Sequence, residues 1–184
     1  MRVLNRLSLL LLALAMPMVV WGGETSSPLV RKVRDATAIY RDVNVAISQG
    51  FVPATPCVSG PDHGAMGVHY VLVDRLNKGI LNAEQPEALI YEPMANGALR
   101  LVGVEFIVLQ SVWQQQHPNG GVPALDGNLM NFIGAPNRYG LPAFYEIHVW
   151  AWEDNSLGSF ADWNNAVRCD RQPISEEGCG RFPP

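Results

Sequence analysis

Three strand-like runs, far apart along the chain, each carry an ionisable side chain amid apolar neighbours: His69 in GVHYVLV, Glu105 in LRLVGVEFIVL and His148 in FYEIHVWAW. Brought together on one sheet face, two imidazoles and a carboxylate make a divalent-metal site or an acid/base cluster. Kept apart, they are buried polar groups that need hydrogen-bond partners. A two-His, one-carboxylate set leaves coordination positions open for water or substrate, which suits zinc in hydrolysis or ferrous iron in oxygen chemistry. His63, Glu92 and Glu146 are candidates for additional ligands or for groups that orient the first three. The spacing alone is unspecific, because His63 and His69 are not the i, i+4 pair of a helical zinc site and neither HxH nor ExxH occurs.

Side chains two apart on a strand share a face, so alternation puts Glu146, His148, Trp150 and Trp152 on one side and Tyr145, Ile147, Val149 and Ala151 on the other. The second set reads as core. The first, together with Trp163, has the composition of a lined ligand pocket. By the same rule Glu105 shares its face with Leu101, Gly103 and Ile107, and Gly103 removes bulk beside the carboxylate. Other chemistry has little support. The chain has no GxGxxG or GxxxxGK phosphate loop and no GxSxG nucleophile elbow. His117, in QQQHPNGG, reads as a solvated turn residue.

The elements that must position these groups can be read from periodicity. From Pro28 to about Gln49, Leu29, Val33, Ala36, Ile39, Tyr40, Val43 and Ile47 recur at helical spacing, with Ser27 as N-cap, Pro28 in the first turn and Gly50 as the stop. Strands are expected at Val68–Val73, Glu87–Tyr91, Ala98–Leu109 and Ala143–Trp152, with Asn96-Gly97 as a hairpin turn. Residues 51–66 and 114–142 are rich in turn formers and read as long loops, and 155–167 as irregular. The expected fold class is α+β: an N-terminal amphipathic helix packed on a twisted, mostly antiparallel sheet.

Arg2 and Arg6 precede the apolar stretch Leu7–Trp21 and then Gly22-Gly23, the order of a secretory signal peptide over residues 1–23. A single domain over 24–170 and a mobile tail over 171–184 complete the expected organisation. The stretch is shorter than a membrane span, so no stable span is expected after cleavage. The chain carries 13 basic and 17 acidic residues, a net charge of -4 that becomes -6 without Arg2 and Arg6. That balance argues against nucleic acid as a partner. Three cysteines in an exported chain imply one disulfide and one spare thiol. Cys57–Cys169 would close a loop of over 100 residues, whereas Cys169–Cys179 would close only a small tail loop. The first is preferred because it ties the end of the chain to its beginning.

Taken in order, CVSGP, HGAMGVHYV, PEALIYEP, LRLVGVEFIV, IHVWAWEDN and FADWNNAVRC resemble a family of exported bacterial proteins without an assigned activity. Its motifs are MGxHY, PEALxYEP, LVGVEY, LHVWxW and WNPxVxC. The resemblance spans about Tyr40 to Cys169, implies the Cys57–Cys169 pairing, and places His69, Glu105 and His148 at matching motif positions. Two departures stand out: WNN at 163–165 replaces WNP, and 114–142 does not follow the family's loop pattern. The functional expectation is an exported, periplasmic or secreted module that binds a small molecule or a metal ion, zinc or iron, in a polar pocket on the sheet. The alternatives are a metal-dependent hydrolase or oxygenase using the same three residues, with Glu146 or Glu92 as acid/base partner, and a structural envelope protein without site chemistry.

Overall fold

The computed structural model describes residues 26–60 and 62–171; the expected leader, Cys179 and the tail from residue 172 lie outside the described residues. The chain begins with α1 (Pro28–Thr37), a 3-10 turn (Ala38–Arg41) and α2 (Val43–Ser48). The strands β1 (Val52–Pro53), β2 (Val58–Gly60) and β3 (Gly64–Val71) follow. After the short α3 (Val73–Leu76) come β4 (Ala88–Pro93), β5 (Leu99–Leu109) and α4 (Gln110–Gln116). The last elements are β6 (Ala124–Leu125), β7 (Asn128–Leu129), β8 (Asn131–Ile133) and β9 (Phe144–Val149). Seven strands form one sheet in the order β1-β3-β4-β5-β9-β8, with β2 also on β3; β6 and β7 pair separately, and every pairing is antiparallel. This is the expected α+β class. Among the described residues no helix is long and apolar enough to cross a membrane.

The two faces of the sheet have different jobs. Val68, Tyr70, Leu89, Tyr91, Val104, Phe106, Val108, Ile147 and Val149 form one cluster with Leu29, Val30, Val33, Tyr40 and Ala46 of the helical segment. The opposite face carries Val71, Ala88, Ile107 and Phe144, and beside them Ile90, Val102 and Trp150. His69, Glu105, Glu146 and His148 alternate with residues of the helix-side cluster, so they lie on this second face.

Several details differ from the sequence expectation. The segments expected as long loops carry short strands, β1, β2 and the start of β3 within 51–66 and β6, β7 and β8 within 114–142. The helix over 28–49 is broken, because Asp42 takes an extended conformation and its side chain accepts the Asn44 N–H at 2.9 Å, capping a new helix. The break rotates the apolar stripe, so Ile39 and Ile47 are 55% and 51% exposed while Ala46 is buried. The hairpin at Asn96-Gly97 forms as expected, but the β4–β5 register shifts between Ile90 and Tyr91. Beyond this bulge the alternation of β5 is offset: Leu101 joins the helix-side cluster and Val102 the other. Leu101 therefore does not share a face with Glu105. Finally, β9 ends at Val149, and Trp152 packs on the helix side, where its indole N–H donates to Thr37 Oγ1 at 3.0 Å and Arg41 stacks over its ring.

The C-terminal stretch is clipped to the site face. Cys57 and Cys169 form a disulfide spanning 112 residues. The backbones of Asn164 and Ala65 exchange two hydrogen bonds at 3.0 and 3.1 Å, and Glu92 accepts the Arg168 N–H at 3.1 Å. On a chain-entropy account a cross-link of this span stabilises by about 4–5 kcal/mol. The Cys57→Ser, Cys169→Ser double variant is expected to lose about that much stability in urea denaturation; an unchanged midpoint would show that the clip rests on Asn164 and Glu92 alone.

Candidate metal centre

The register of β5 against β9 places Glu105 directly opposite His148. His69 comes from β3, two strands away from β5. It pairs with Ile90, whose partner on β5 is Gly103, while Glu105 pairs with Ala88. The intervening strand presents Ile90 beside His69 but only the methyl group of Ala88 beside Glu105, and Gly103 presents none. Two long side chains therefore meet above a low stretch of sheet, with His69 Nε2 3.4 Å from Glu105 Oε2. The imidazoles of His69 and His148 face each other edge to face, with centroids 5.8 Å apart.

One donor atom from each of His69, Glu105 and His148 lies within 4.8 Å of the others. Donors bound tetrahedrally to a single zinc ion at about 2.0–2.2 Å stand about 3.4 Å from one another, so the set would contract by up to about 1.4 Å to close on a cation. All three are buried, at 3%, 6% and 2% exposure.

The outward nitrogen of each imidazole is already held. His148 Nδ1 lies 2.9 Å from Glu146 Oε2, and the Trp150 ring stacks near it at 6.0 Å and 22°. Asn131 Nδ2 donates to Glu146 Oε1 at 3.1 Å and to Asp162 Oδ1 at 2.9 Å, so one amide holds both carboxylates behind the ring. His69 Nδ1 is 3.2 Å from Thr55 Oγ1, which also accepts the His69 backbone N–H at 3.2 Å. What is left over is His148 Nε2. Among the described residues it is the buried side-chain nitrogen or oxygen without a hydrogen-bond partner.

Burial dominates the electrostatics. Desolvation, helped by the His148 charge, lowers His69 to about 3 and keeps it neutral. Desolvation also raises the Glu105 carboxyl. With His69 held neutral, the 3.4 Å contact is not an ion pair at neutral pH. For His148, burial opposes the charged form, but Glu105 and Glu146 outweigh it and raise the imidazole to about 9. The cluster concentrates its positive charge on one ring, backed by Glu146 and by Asp162, whose own carboxyl is raised by burial and then by Glu146.

Other residues singled out from the sequence lie elsewhere or act indirectly. His63 is exposed in the turn before β3. Glu92 is buried but bound to Arg100, at 3.1 and 2.5 Å, and to the Arg168 backbone. Glu146 supports His148 from behind, and with Asp162 it forms a second group of donors around that ring. Trp150 is buried, with its indole N–H donating to Ala161 O at 2.6 Å. Trp163 lies against Gly60 and under Arg138, and Trp152 is on the far side of the sheet. The three indoles do not line a common pocket. Sequence reasoning did not single out Asp162, Asn131, Thr55 or Tyr139. The pairing of Asn131 with Glu146 across β8 and β9 depends on a three-residue strand with no alternation of its own to read.

The space beside the centre is small. A cavity of about 20 Å³ is lined by His69 and Glu105 together with Thr55, Tyr139, Leu141 and Phe144, among others. Larger surface hollows, of about 410 and 490 Å³, are lined by none of the three central residues. No protein-family model, curated protein or solved structure matches this chain.

Glu87 shares this electrostatic setting without joining the cluster. It is buried, accepts the Ile107 N–H at 3.0 Å, and has its carboxyl raised by desolvation from 4.5 to about 8. Because the folded value lies above the unfolded one, its contribution to stability is whole below pH 4.5 and is lost as pH rises through about 8. His69 has the opposite sign: its contribution is present above 6.5 and is lost as pH falls toward 3. In Glu87→Gln the amide oxygen still accepts from Ile107 while the titration is gone. Between these limits the unfolding free energy of the native metal-free protein should fall with pH more steeply than the variant's, by about 1.4 kcal/mol per pH unit. Parallel stability profiles would contradict a proton held on Glu87.

Proposed function

We propose that this chain is an exported protein that holds one divalent cation, zinc or ferrous iron, through His69, Glu105 and His148. Two observations carry this reading together: donors of the three residues converge within 4.8 Å of one another, and His148 Nε2 has no hydrogen-bond partner. A purely structural cluster would be expected to satisfy that nitrogen, since an unpaired buried polar atom costs about 1–3 kcal/mol. The held outer nitrogens support the same reading, because metal-ligating imidazoles usually have the second nitrogen fixed by a carboxylate or another polar group. Two imidazoles and a carboxylate suit zinc or iron better than calcium or magnesium, which favour all-oxygen sites.

Export is part of the proposal. The leader-like run from Arg2 to Gly23 supports it, as does the Cys57–Cys169 bridge, since oxidising compartments retain such bonds. The resemblance through MGxHY, PEALxYEP and LHVWxW to exported bacterial proteins points the same way.

A binding role is favoured over hydrolysis of a large substrate. The centre is buried under Tyr139 and Leu141, and neither Glu92 nor Glu146 lines the cavity as an acid/base partner would. The enzyme reading is retained only for a small reactant, on the ground that a cavity adjoins His69 and Glu105.

Protein purified without chelators and loaded with zinc or ferrous iron is expected to hold about one equivalent by elemental analysis. His148→Ala and Glu105→Gln are expected to lose it while keeping the far-UV circular dichroism of the parent. Absence of uptake under every loading condition, or parental metal content in both variants, would contradict the proposal.

A further inference from the structure

We infer that the open side of this centre admits only ligands of water or diatomic size, such as water, hydroxide, dioxygen or nitric oxide, and excludes larger donors. The inference rests on the metal reading above and specifies the ligand class of that site. Its basis is the shape and construction of the cavity beside His69 and Glu105. A space of about 20 Å³ compares with the roughly 10–15 Å³ needed to hold one water, so it accommodates one very small molecule. Val71, Ile107, Leu141 and Phe144 make most of the wall apolar, and Thr55 and Tyr139 complete it.

The wall is built to keep this size. Phe144 is a buried β9 residue, and the Tyr139 ring meets it edge to face at 6.0 Å. The segment carrying Tyr139 and Leu141 is braced from within by one side chain. Asn137 Nδ2 donates to Gly134 O at 3.0 Å and Leu141 O at 2.9 Å, and its Oδ1 accepts the N–H groups of Tyr139 at 3.2 Å and Leu141 at 3.3 Å. A segment tied to itself in this way resists opening residue by residue. The Tyr139 hydroxyl donates to Met66 Sδ at 3.4 Å. A thioether is a weak acceptor, so that hydroxyl is readily redirected. The site is thus small, mainly apolar and supplied with one readily redirected donor.

The test uses the full chain loaded anaerobically with ferrous iron, with iron content measured on every sample. Nitric oxide is expected to give the half-integer-spin electron paramagnetic resonance signal of an iron nitrosyl. Prior incubation with excess imidazole should leave that signal in place in the native protein and abolish it in Leu141→Gly, where the wall is cut back. An iron-loaded native protein that gives no nitrosyl signal, or whose signal imidazole abolishes, overturns the size inference and leaves the metal site standing. So does a Leu141→Gly variant that binds iron and nitric oxide but still excludes imidazole. Failure to retain iron, zinc or any other divalent ion overturns both readings.

Discussion

The register between β5 and β9 is the constraint on which the arrangement depends. Glu105 and His148 are neighbours because Phe106 faces Ile147 and Val104 faces Val149 on the other side of the same two strands. Those four apolar residues belong to the cluster that α1 and α2 cover. A one-residue slip of β9 would send Glu146 and His148 into that cluster and Ile147 and Val149 to the site face, at the cost of a buried core. The helices thus fix the polar centre without touching it. The hydrophobic face chooses the register, and the register places the donors.

Placing is not the same as orienting. His148 is held by three kinds of contact: its backbone on a central strand, the Glu146 carboxylate on Nδ1, and the Trp150 ring beside it. Gly103 is part of the same construction, because a Cβ there would stand 3.1 Å from the Trp150 ring and 3.0 Å from Val149 O. The C-terminal stretch, secured by the disulfide, Asn164 and Glu92, brings Asp162 to Asn131 and so completes the support behind the ring. A surface clip 112 residues in span thereby bears on the geometry of a buried imidazole.

Much of this was legible in the residues. The alternation in FYEIHVWAW assigned Glu146, His148 and Trp150 to one face, Asn96-Gly97 marked the hairpin, and the Cys57–Cys169 pairing was the preferred one. What was not legible has identifiable physical causes. Alternation fails wherever a strand stops or bulges: the bulge opposite Ile90 and Tyr91 offset Leu101, and the end of β9 at Val149 sent Trp152 to the helices. The helix break at Asp42 rests on a cap that competes with a continuing apolar stripe. Asp162, Thr55 and Tyr139 reach the centre from irregular segments, where no period relates a residue to the face it meets.

The central claim concerns what surrounds a bound cation, and X-ray absorption spectroscopy of the zinc-loaded protein reads that most directly. The account predicts nitrogen and oxygen donors at about 2.0–2.2 Å, with the outer-shell scattering of two imidazole rings, and one ring fewer in His69→Ala. A zinc environment of oxygen donors alone, without imidazole scattering, would contradict it.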